Sequence, residues 1–595
     1  MKTIFNVFLK LHEFLIKAVV FFSCFSMLLV AFAQVVCRYV FKYSIVWSDE
    51  YCRLAFFVTI FFGSALCFLD RKHIVVDVIY NILPRAAIRY LLLFTNAMCI
   101  IFCIFLGMAG YRYAIANAAQ LTSCMSIPLL YVYIMMPVAC ALMIISILRA
   151  GYREFFEIYA PQKEKMKRGG GVKMISLLVV VFFVLIIAGV PLAFGTGLAA
   201  LSYCLTADIP ITIIAQKIFT TSNSTTMLAI PFFVMAGEFM SVGGLTDKLV
   251  NLAYAFVGHV RGSLGHVTTL SSMLFASMSG SSTAAVASIG GMLLPAMKKK
   301  GYGEGYAASI VCASAVLGPI IPPSIAFVMY SSITGVSIGD LFMAGIIPGI
   351  IMGMCLMTMT AIYARKYNYP TEPKSSWSER WHALVEAIPA IMMPLIIMGG
   401  IFGGIFTATE AGAVVSIYCL VVSIVTKKLT VEKFVRCILN TVKVSGSILF
   451  IIATSQVLGW ILTANNIPQI ITNTISSISD NPHVIFAIII LIVFVLGFFL
   501  VDAAIITLVT PLFYPLVLQA GIDPLAFAIA FNMCCILGGI TPPVGGLLYL
   551  SCTIGEISVV KAIKAVWPFV LALLVSIVIT MYVPILTNFI PNVLL

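Results

Sequence analysis

The sequence predicts an all-α polytopic membrane protein, and three observations support that fold class. Of the 595 residues, 62% are hydrophobic and only 10% are charged. Mean hydropathy is +1.12. Apolar runs of about 17 to 30 residues recur from Leu11 to Ile590. A soluble core of this size could not bury so many apolar side chains, so lipid must be the solvent; at about 20 residues per span, roughly 14 to 16 membrane passes or half-passes fit.

Charge and cysteine usage narrow the class further. The net charge of +13 would suggest a nucleic-acid partner in a soluble protein, but here the basic residues lie in short loops between apolar runs, which is the positive-inside pattern of membrane proteins. We therefore expect membrane lipid as a partner and no nucleic acid. The 16 cysteines are scattered through apolar segments without CxxC or Cys/His ligand spacing, so we interpret them as small hydrophobic residues.

The first predicted domain, residues 1–150, has four spans. Basic residues lie at its start, after the second span and after the fourth, so both of its ends are expected in the cytoplasm. A polar cluster from Trp47 to Arg53 stands at the outer end of the second span; we interpret it as an interface anchor or docking element in which Glu50 and Arg53 pair. The predicted spans lie near Leu11 to Val36, Tyr51 to Leu69, Ile88 to Tyr111 and Ile127 to Leu148.

Two polar segments divide the rest of the chain. Residues 151–171 form a charged run that closes in three glycines, which predicts a cytoplasmic linker between two domains. A larger domain, residues 172–595, follows the linker. A second polar arm, from Arg365 to Glu386, splits this larger domain into two halves.

The two halves of the larger domain are related in sequence. A shift of 220 residues aligns Gly280 to Pro348 with Leu500 to Pro568 without a gap. Identities are few, but they fall on helix breakers, which predicts a duplicated backbone path; chance matching in a Gly- and Pro-rich sequence is the alternative. The shared positions are Pro295 and Pro515, Gly301 and Gly521, Gly318 and Gly538, Pro322 and Pro542, Pro323 and Pro543, Gly335 and Gly555, and Pro348 and Pro568.

Basic residues also predict how the two copies enter the membrane. They bracket the stretch Gly262 to Met297 on both sides, and small polar residues interrupt its middle. A re-entrant helical hairpin that enters and leaves on the cytoplasmic side explains both features. The corresponding stretch, Val484 to Leu518, lies in a run from Val444 to Val560 that has no Lys or Arg, so it should enter from the outer face. Two hairpins from opposite sides define an inverted repeat whose tips meet near the bilayer midplane.

Four polar, helix-breaking clusters interrupt the apolar sequence of this domain. A broken helix exposes carbonyl oxygens at one half-helix end and amide groups at the other; carbonyl and hydroxyl oxygens suit Na⁺, and amide ends suit a carboxylate. The clusters therefore favour a site through which a solute moves. Alternatively, the glycines and serines only allow close helix packing, and the prolines are tolerated kinks. The clusters are Ser279 to Thr283, Gly318 to Ser324, Val501 to Ala503 and Gly538 to Gly546.

Asp502 is an acid within an apolar run, at the predicted tip of the second hairpin. Such an acid is costly unless it faces protein or water, so we interpret it as a solute or cation contact. Alternatively it caps the helix from Ala503 onward, and the two roles are compatible. Glu238 and Glu410 are also acids in apolar surroundings, and for them both a loop position and a functional role stay open.

No enzymatic motif accompanies these clusters. The sequence has no GxxxxGK phosphate loop, no HExxH and no GxSxG, so we predict neither an enzyme nor ATP-driven transport within this chain. A channel stays open as an alternative, because re-entrant hairpins also build pores. An intramembrane enzyme is a further alternative, and it would need a catalytic constellation.

These motifs make the chain resemble a known family, the tripartite ATP-independent periplasmic (TRAP) transporters, with two membrane subunits fused. Residues 1–150 resemble the small Q-type subunit through their four spans and the WSDEYCR stretch from Trp47. Residues 172–595 resemble the large M-type subunit through SMSGSSTAA near Ser277, GPIIPPS from Gly318 and GGITPPVGG from Gly538. The resemblance covers nearly the whole chain, and the paired proline motifs are its most specific part.

The resemblance implies an elevator-type transporter. The inverted-repeat M-type part would supply a mobile transport domain and a scaffold, which the Q-type four-helix unit would enlarge. The resemblance also implies a multi-pass location in the bacterial cytoplasmic (inner) membrane, Na⁺ as the coupling ion, and a periplasmic substrate-binding protein (P-type subunit) that delivers a small organic acid. Fused chains in this family often handle sialic acid, so N-acetylneuraminate is expected; a C4-dicarboxylate or another sugar acid is the alternative.

The resemblance further implies which residues form the site. The solute would lie between the hairpin tips, near Ser281, Ser324 and Asp502. Na⁺ would lie at two places, one near Ser279, Gly280, Ser281 and Ser282 with Gly318 and Pro322, the other near Leu500, Val501 and Ala503 with Gly538, Thr541 and Pro542.

Overall fold

A computed structural model of the chain describes residues 2–70, 72–74, 85–157, 174–542 and 545–594. Within those ranges the regular secondary structure is helical, apart from one isolated β-bridge between Leu121 and Pro128. Ten of the described helices are long and apolar enough to cross a membrane, or eleven if the bent pair Thr212–Ser222 and Thr226–Val242 forms one span. Five shorter apolar helices accompany them. The predicted all-α polytopic membrane fold is therefore confirmed.

The chain forms two compact units. Unit A comprises residues 1–228 and 438–465, and unit B comprises residues 229–437 and 466–595. Unit A thus takes in two segments of the larger predicted domain, 174–228 and 438–465. Residues 158–173, which hold most of the predicted linker, lie outside the described part of the chain, and the predicted domain boundaries stay a prediction.

Unit A begins with the four predicted spans. The last of their helices continues to Glu157, past the expected end at Leu148 and into the predicted linker. Charged residues such as Arg153 and Glu154 have good helix propensity, so a run of charges does not by itself end a helix. Helices and one 3₁₀ turn of this unit before residue 229 are Lys2–Tyr39, Ser48–Asp70, Arg85–Ala116, Leu129–Tyr133, Met135–Glu157, Met174–Ile187, Leu192–Thr206, Thr212–Ser222 and Thr226–Leu228.

Aromatic packing ties the segment 438–465 into unit A. The ring of Phe450 lies 5.8 Å from that of Phe61 and 5.4 Å from that of Phe194. A Cβ added at Gly63 would lie 2.9 Å from the Val442 side chain, so glycine permits a close helix crossing here. These contacts join residues that are almost 400 positions apart into one core.

Unit B contains the duplicated path predicted from the sequence. Hairpin 1 has a first arm, Ser263–Ser279, and a return arm, 282–299; hairpin 2 has a first arm, Pro482–Gly497, and a return arm, Asp502–Gln519. A broken helix follows each hairpin, and a long helix follows each broken helix. The starts of these five corresponding elements lie between 219 and 221 residues apart, which confirms the 220-residue register.

The return arm of hairpin 1 runs without interruption through an α-helical, a π-helical and a second α-helical piece. The remaining helices of unit B flank the repeats, and Val431–Ala464 continues into unit A. The pieces of the return arm are Ser282–Ala285, Val286–Gly290 and Gly291–Lys299. Broken helix 1 is Glu304–Ala315 with Ile325–Thr334, broken helix 2 is Pro524–Leu537 with Gly546–Gly555, and the long helices are Ile338–Lys366 and Val559–Tyr582. The others are Ala229–Val242, Leu245–Val257, Trp377–Phe402, Ala408–Val425, Val431–Ala464, Ile467–Ser476, the 3₁₀ turn Gly538–Ile540 and Ile585–Leu594.

Each copy packs on the other through its second half-helix. Ile325–Thr334 packs against the return arm of hairpin 2, and Gly546–Gly555 packs against the return arm of hairpin 1. The exchange is reciprocal, so the two copies share one core within unit B.

Candidate functional site

A glycine and a serine shape the tip of hairpin 1. Gly280 ends the first arm with a φ of +58°, a left-handed conformation that favours glycine. Ser281 then caps the return arm, because its Oγ accepts the N–H of Ala284 at 3.4 Å. The same oxygen lies 3.1 Å from Oγ1 of Thr283. The turn therefore exposes two hydroxyl groups beside the start of a helix.

Ser279 and Ser282 flank this turn. The Oγ of Ser279 accepts the N–H of Ser281 at 3.4 Å. The Oγ of Ser282 is buried and has no hydrogen-bond partner among the described residues. A buried polar group without a partner costs about 1–3 kcal/mol, so this oxygen is suited to a ligand. The carbonyl groups of the first arm's last turn add further oxygens, because helix ends leave such groups unpaired.

Break 1, residues 316–324, joins the two halves of broken helix 1. Ser324 caps the second half: its Oγ accepts the N–H of Phe327 at 3.1 Å and donates to the carbonyl oxygen of Pro319. The peptide bond between Pro322 and Pro323 is cis. Ser324 has no exposed surface, so its hydroxyl is committed to the local structure. Its predicted contact with a solute stays a prediction.

Hairpin 1 and break 1 touch through two glycines. A Cβ at Gly280 would lie 2.7 Å from the carbonyl oxygen of Pro323, and a Cβ at Gly318 would lie 3.1 Å from the backbone carbon of Ser281. Backbone therefore meets backbone with no side chain between. The structure thus brings together two of the predicted clusters, the hairpin tip with Ser279 to Ser282 and the break with Gly318 and Pro322.

Hairpin 2 and break 2, residues 538–545, repeat this arrangement. A Cβ at Gly538 would lie 2.6 Å from the carbonyl oxygen of Gly497 and 2.7 Å from its Cα. Gly318 and Gly538 occupy the same position in the 220-residue register. The duplicated backbone therefore preserves a glycine contact between hairpin and break in both copies.

Break 2 contains one fully buried hydroxyl, that of Thr541. Its Oγ1 donates to the carbonyl oxygen of Leu537 at 2.8 Å, and the lone pairs of the hydroxyl oxygen face away from that bond. Pro542 follows it. Pro543 and Val544, which belong to the predicted cluster, lie outside the described residues.

Asp502 starts the return arm of hairpin 2. Its Oδ1 accepts the N–H of Ala503 at 2.8 Å. The side chain is half-buried at the N-terminal end of an 18-residue helix, where a negative charge is favoured. Val501 and buried Leu500 precede it at the tip. The hydrogen bond supports the capping interpretation, and contact with a solute or cation stays a prediction.

Sequence reasoning missed a set of buried polar groups around these elements. Tyr330, on the second half of broken helix 1, has no exposed surface; its ring centroid lies 6.2 Å from that of Tyr514 and 5.9 Å from that of Phe531. Its hydroxyl has no hydrogen-bond partner within the described ranges, and the same is true of Thr510 Oγ1 and Asn532 Oδ1. Their signal in the sequence is a polar side chain inside an apolar helix, the signal that identified Asp502.

Glu410 has a structural role. It forms a capping box with Thr407, whose N–H donates to its Oε2 at 2.9 Å, and so caps Ala408–Val425. Glu238 is half-buried in Ala229–Val242, and a functional role for it stays a prediction.

Glu50 corrects one prediction. Its buried carboxylate accepts the N–H groups of Cys124 at 2.6 Å and of Met125 at 3.1 Å. Glu50 and Arg53 are both described, and no ion pair joins them, so the predicted pairing is wrong. The carboxylate anchors a loop more than 70 residues away, which helix periodicity could not show.

The described residues contain no group of three or more His, Cys, Asp or Glu side chains placed to hold a metal ion. A cation at the hairpin tips would therefore be held by backbone carbonyl and hydroxyl oxygens. Such neutral, hard oxygens suit an alkali cation better than a transition metal.

Two family models match this chain in succession. The model described as the DctQ component of the tripartite ATP-independent periplasmic transporters matches residues 9–157, and the model described as the DctM component matches residues 179–586. Both membrane components therefore lie in one polypeptide.

Relatives with curated names have the same character. The sialic acid TRAP transporter permease protein SiaT of Haemophilus influenzae is 28% identical over 98% of this chain and 99% of its own length. The isethionate TRAP transporter permease protein DctMQ of Oleidesulfovibrio alaskensis is 32% identical over 91% and 88%. The C4-dicarboxylate large permease protein DctM of Pseudomonas aeruginosa is 36% identical over 64% and 89%. The chain is therefore a multi-pass bacterial inner-membrane protein of the TRAP transporter family, a permease with fused Q-type and M-type components rather than an enzyme.

Proposed function

We propose that this permease takes up a small organic acid by Na⁺ symport, with sialic acid (N-acetylneuraminate) as the first candidate. A periplasmic substrate-binding protein would deliver the solute, and unit B would carry it across the membrane by an elevator mechanism. The observation that carries the proposal is the repeated contact between a hairpin and a broken helix, made through Gly280 and Gly318 in one copy and through Gly497 and Gly538 in the other.

Na⁺ coupling is supported by the oxygens at these contacts. In the first copy Ser279 to Ser282 meet Gly318, and the unpartnered Ser282 hydroxyl lies among them. In the second copy Gly538 and Thr541 lie on the break beside the hairpin that carries Leu500 to Ala503. Two oxygen-rich sites of the same construction would bind two cations of the same kind. Each cation would hold a hairpin onto its broken helix.

The proposed solute site has two different ends. Ser281 and Ser324 each cap the start of a helix, where backbone amides favour a carboxylate. Ser324 would act through the helix end it caps, since its hydroxyl already has two partners. Asp502 would repel a second carboxylate but accept hydrogen bonds from hydroxyl or amide groups. This pattern favours a solute with one carboxylate and several donors, as in N-acetylneuraminate, over a dicarboxylate.

The division into two compact units supports the elevator proposal. Both hairpins and both broken helices belong to unit B, whereas the four Q-type helices belong to unit A with residues 174–228 and 438–465. A transporting unit with its own core is what an elevator needs. Unit A would then serve as the scaffold.

A C4-dicarboxylate, another sugar acid and isethionate are the competing solutes, because relatives that match much of this chain carry those names. Proteoliposomes with purified permease separate the candidates. Labelled N-acetylneuraminate should accumulate only with an inward Na⁺ gradient and the partner binding protein. Accumulation of a competing solute instead would overturn the choice of sialic acid, and accumulation without a Na⁺ gradient would overturn the coupling.

A further inference from the structure

The helix Trp377–Phe402 carries an unpartnered apolar stripe that begins with two tryptophans. Trp377 is 80% exposed and Trp381 is 66% exposed. Exposed apolar residues then recur every three or four positions, on one face of the helix. On a membrane span such a face contacts acyl chains, and tryptophans at its end lie at headgroup level. The members of the stripe are Trp377, Trp381, Val385, Ile388, Met392 and Leu395.

Arg380 lies beside this stripe with part of its guanidinium unused. Its Nε donates to the carbonyl oxygen of Ala255 at 3.2 Å. Its guanidinium carbon lies 5.4 Å from the ring centroid of Trp377 and 5.8 Å from that of Phe256. Its Nη2 is buried without a hydrogen-bond partner, and no carboxylate of the described residues forms an ion pair with it. A buried cationic donor of this kind requires an anion.

The neighbouring acids are committed elsewhere, while neighbouring basic residues are free to add positive charge. Glu372 pairs with Lys300, and Glu379 accepts the N–H of Ser376 at 2.7 Å in a capping box. Lys374 is exposed. Around Arg380 the local charge is therefore positive, on the side of the membrane that the distribution of basic residues assigns to the cytoplasm.

We propose that Arg380, Trp377, Trp381 and Lys374 bind the phosphate headgroup of an anionic phospholipid in the cytoplasmic leaflet. Nη2 of Arg380 donates to the phosphate, Lys374 adds charge, and the two indoles lie along the glycerol and upper acyl region. Arg380 is buried against Phe256 and Ala255 of the preceding helix pair, so the bound lipid fixes the depth of Trp377–Phe402 in the bilayer. The proposal does not depend on which solute is transported.

The test compares purified permease in phosphatidylcholine bilayers with and without phosphatidylglycerol. Wild type should retain phosphatidylglycerol in native mass spectrometry and gain thermal stability from it. Arg380→Gln should weaken phosphatidylglycerol binding about fivefold, since one basic side chain near an anionic surface contributes about 1 kcal/mol. Arg436→Gln is the matched control, because Arg436 is an exposed basic residue already paired with Glu432 at 2.7 Å. It should bind the lipid as wild type does.

Two further arms keep the result decisive. Lys374→Gln removes an exposed charge without touching the core, so it should fold and weaken lipid binding about twofold, which keeps the test valid if Arg380→Gln does not fold. Inorganic phosphate should not reproduce the stabilisation given by phosphatidylglycerol. The proposal is overturned if folded Arg380→Gln and Lys374→Gln bind phosphatidylglycerol like wild type, or if inorganic phosphate alone stabilises the protein equally.

Discussion

Substitution of Gly538 by alanine should separate hairpin 2 from break 2. The added Cβ would lie 2.6 Å from the carbonyl oxygen of Gly497, whereas ordinary contact begins at 3.4 Å, so the two segments must move apart by roughly 0.8 Å. Both sides of the contact are backbone, and no side chain can rotate to relieve the clash. Overpacking of this kind costs about 1–3 kcal/mol.

If this contact closes the second Na⁺ site, the cost falls on Na⁺ binding. A cost of about 1–3 kcal/mol corresponds to a loss of roughly 5- to 150-fold in Na⁺ affinity. The assay is the initial rate of solute uptake into proteoliposomes as external Na⁺ is varied. The half-saturating Na⁺ concentration should rise by that factor.

Gly546→Ala is the matched control in the same broken helix. A Cβ at Gly546 has no neighbouring atom within 4 Å, so this variant should keep the Na⁺ dependence of wild type. Gly497→Ala provides a milder perturbation, because its Cβ would lie 3.0 Å from the Cα of Gly538; its shift should be smaller and in the same direction. A folded Gly538→Ala permease with an unchanged Na⁺ dependence would refute the role of this contact.

Three more predictions follow from single acids. Asp502→Ala should reduce uptake while the protein still inserts in the membrane, and undiminished uptake would exclude Asp502 from the site. Glu50→Ala should lower the free energy of unfolding by about 1–3 kcal/mol, because two loop N–H groups lose their acceptor; Glu432→Ala, at an exposed acid, is the control, and equal effects on thermal unfolding would contradict the difference. The hydrogen bond from Lys300 lowers the pKa of Glu372 below 4.5, so the pair stabilises the fold above that pH and is lost as pH falls through the lowered pKa. The stability difference between wild type and Glu372→Gln should therefore shrink in acid, and a difference that is independent of pH would contradict it.

Helix breakers made much of unit B predictable. The break at Ser279 to Thr283 and the placement of Asp502 at the second tip follow from small polar residues inside apolar runs. The 220-residue register of prolines and glycines predicted where the second copy's elements start to within one residue. These features are local, because a break in a helix is determined by the few residues that form it.

Long-range contacts were beyond the reach of the sequence. Nothing near Ile325 indicates that its helix packs on the return arm of hairpin 2. The hydroxyl of Ser324 looks available in the sequence, but the fold buries it and gives it two partners. Glu50 is one helical turn from Arg53, yet its carboxylate binds a loop near Cys124. Such partners depend on tertiary packing, which the hydropathy of single segments does not determine.

Simultaneous measurement of labelled Na⁺ and labelled solute in proteoliposomes tests the central claim most directly. If the two hairpin sites form one coupled transporter, Na⁺ should enter only when N-acetylneuraminate and the binding protein are both present, and the two fluxes should keep a fixed ratio. Gly538→Ala should lower both fluxes together. Steady Na⁺ entry without solute would contradict the account and support a channel.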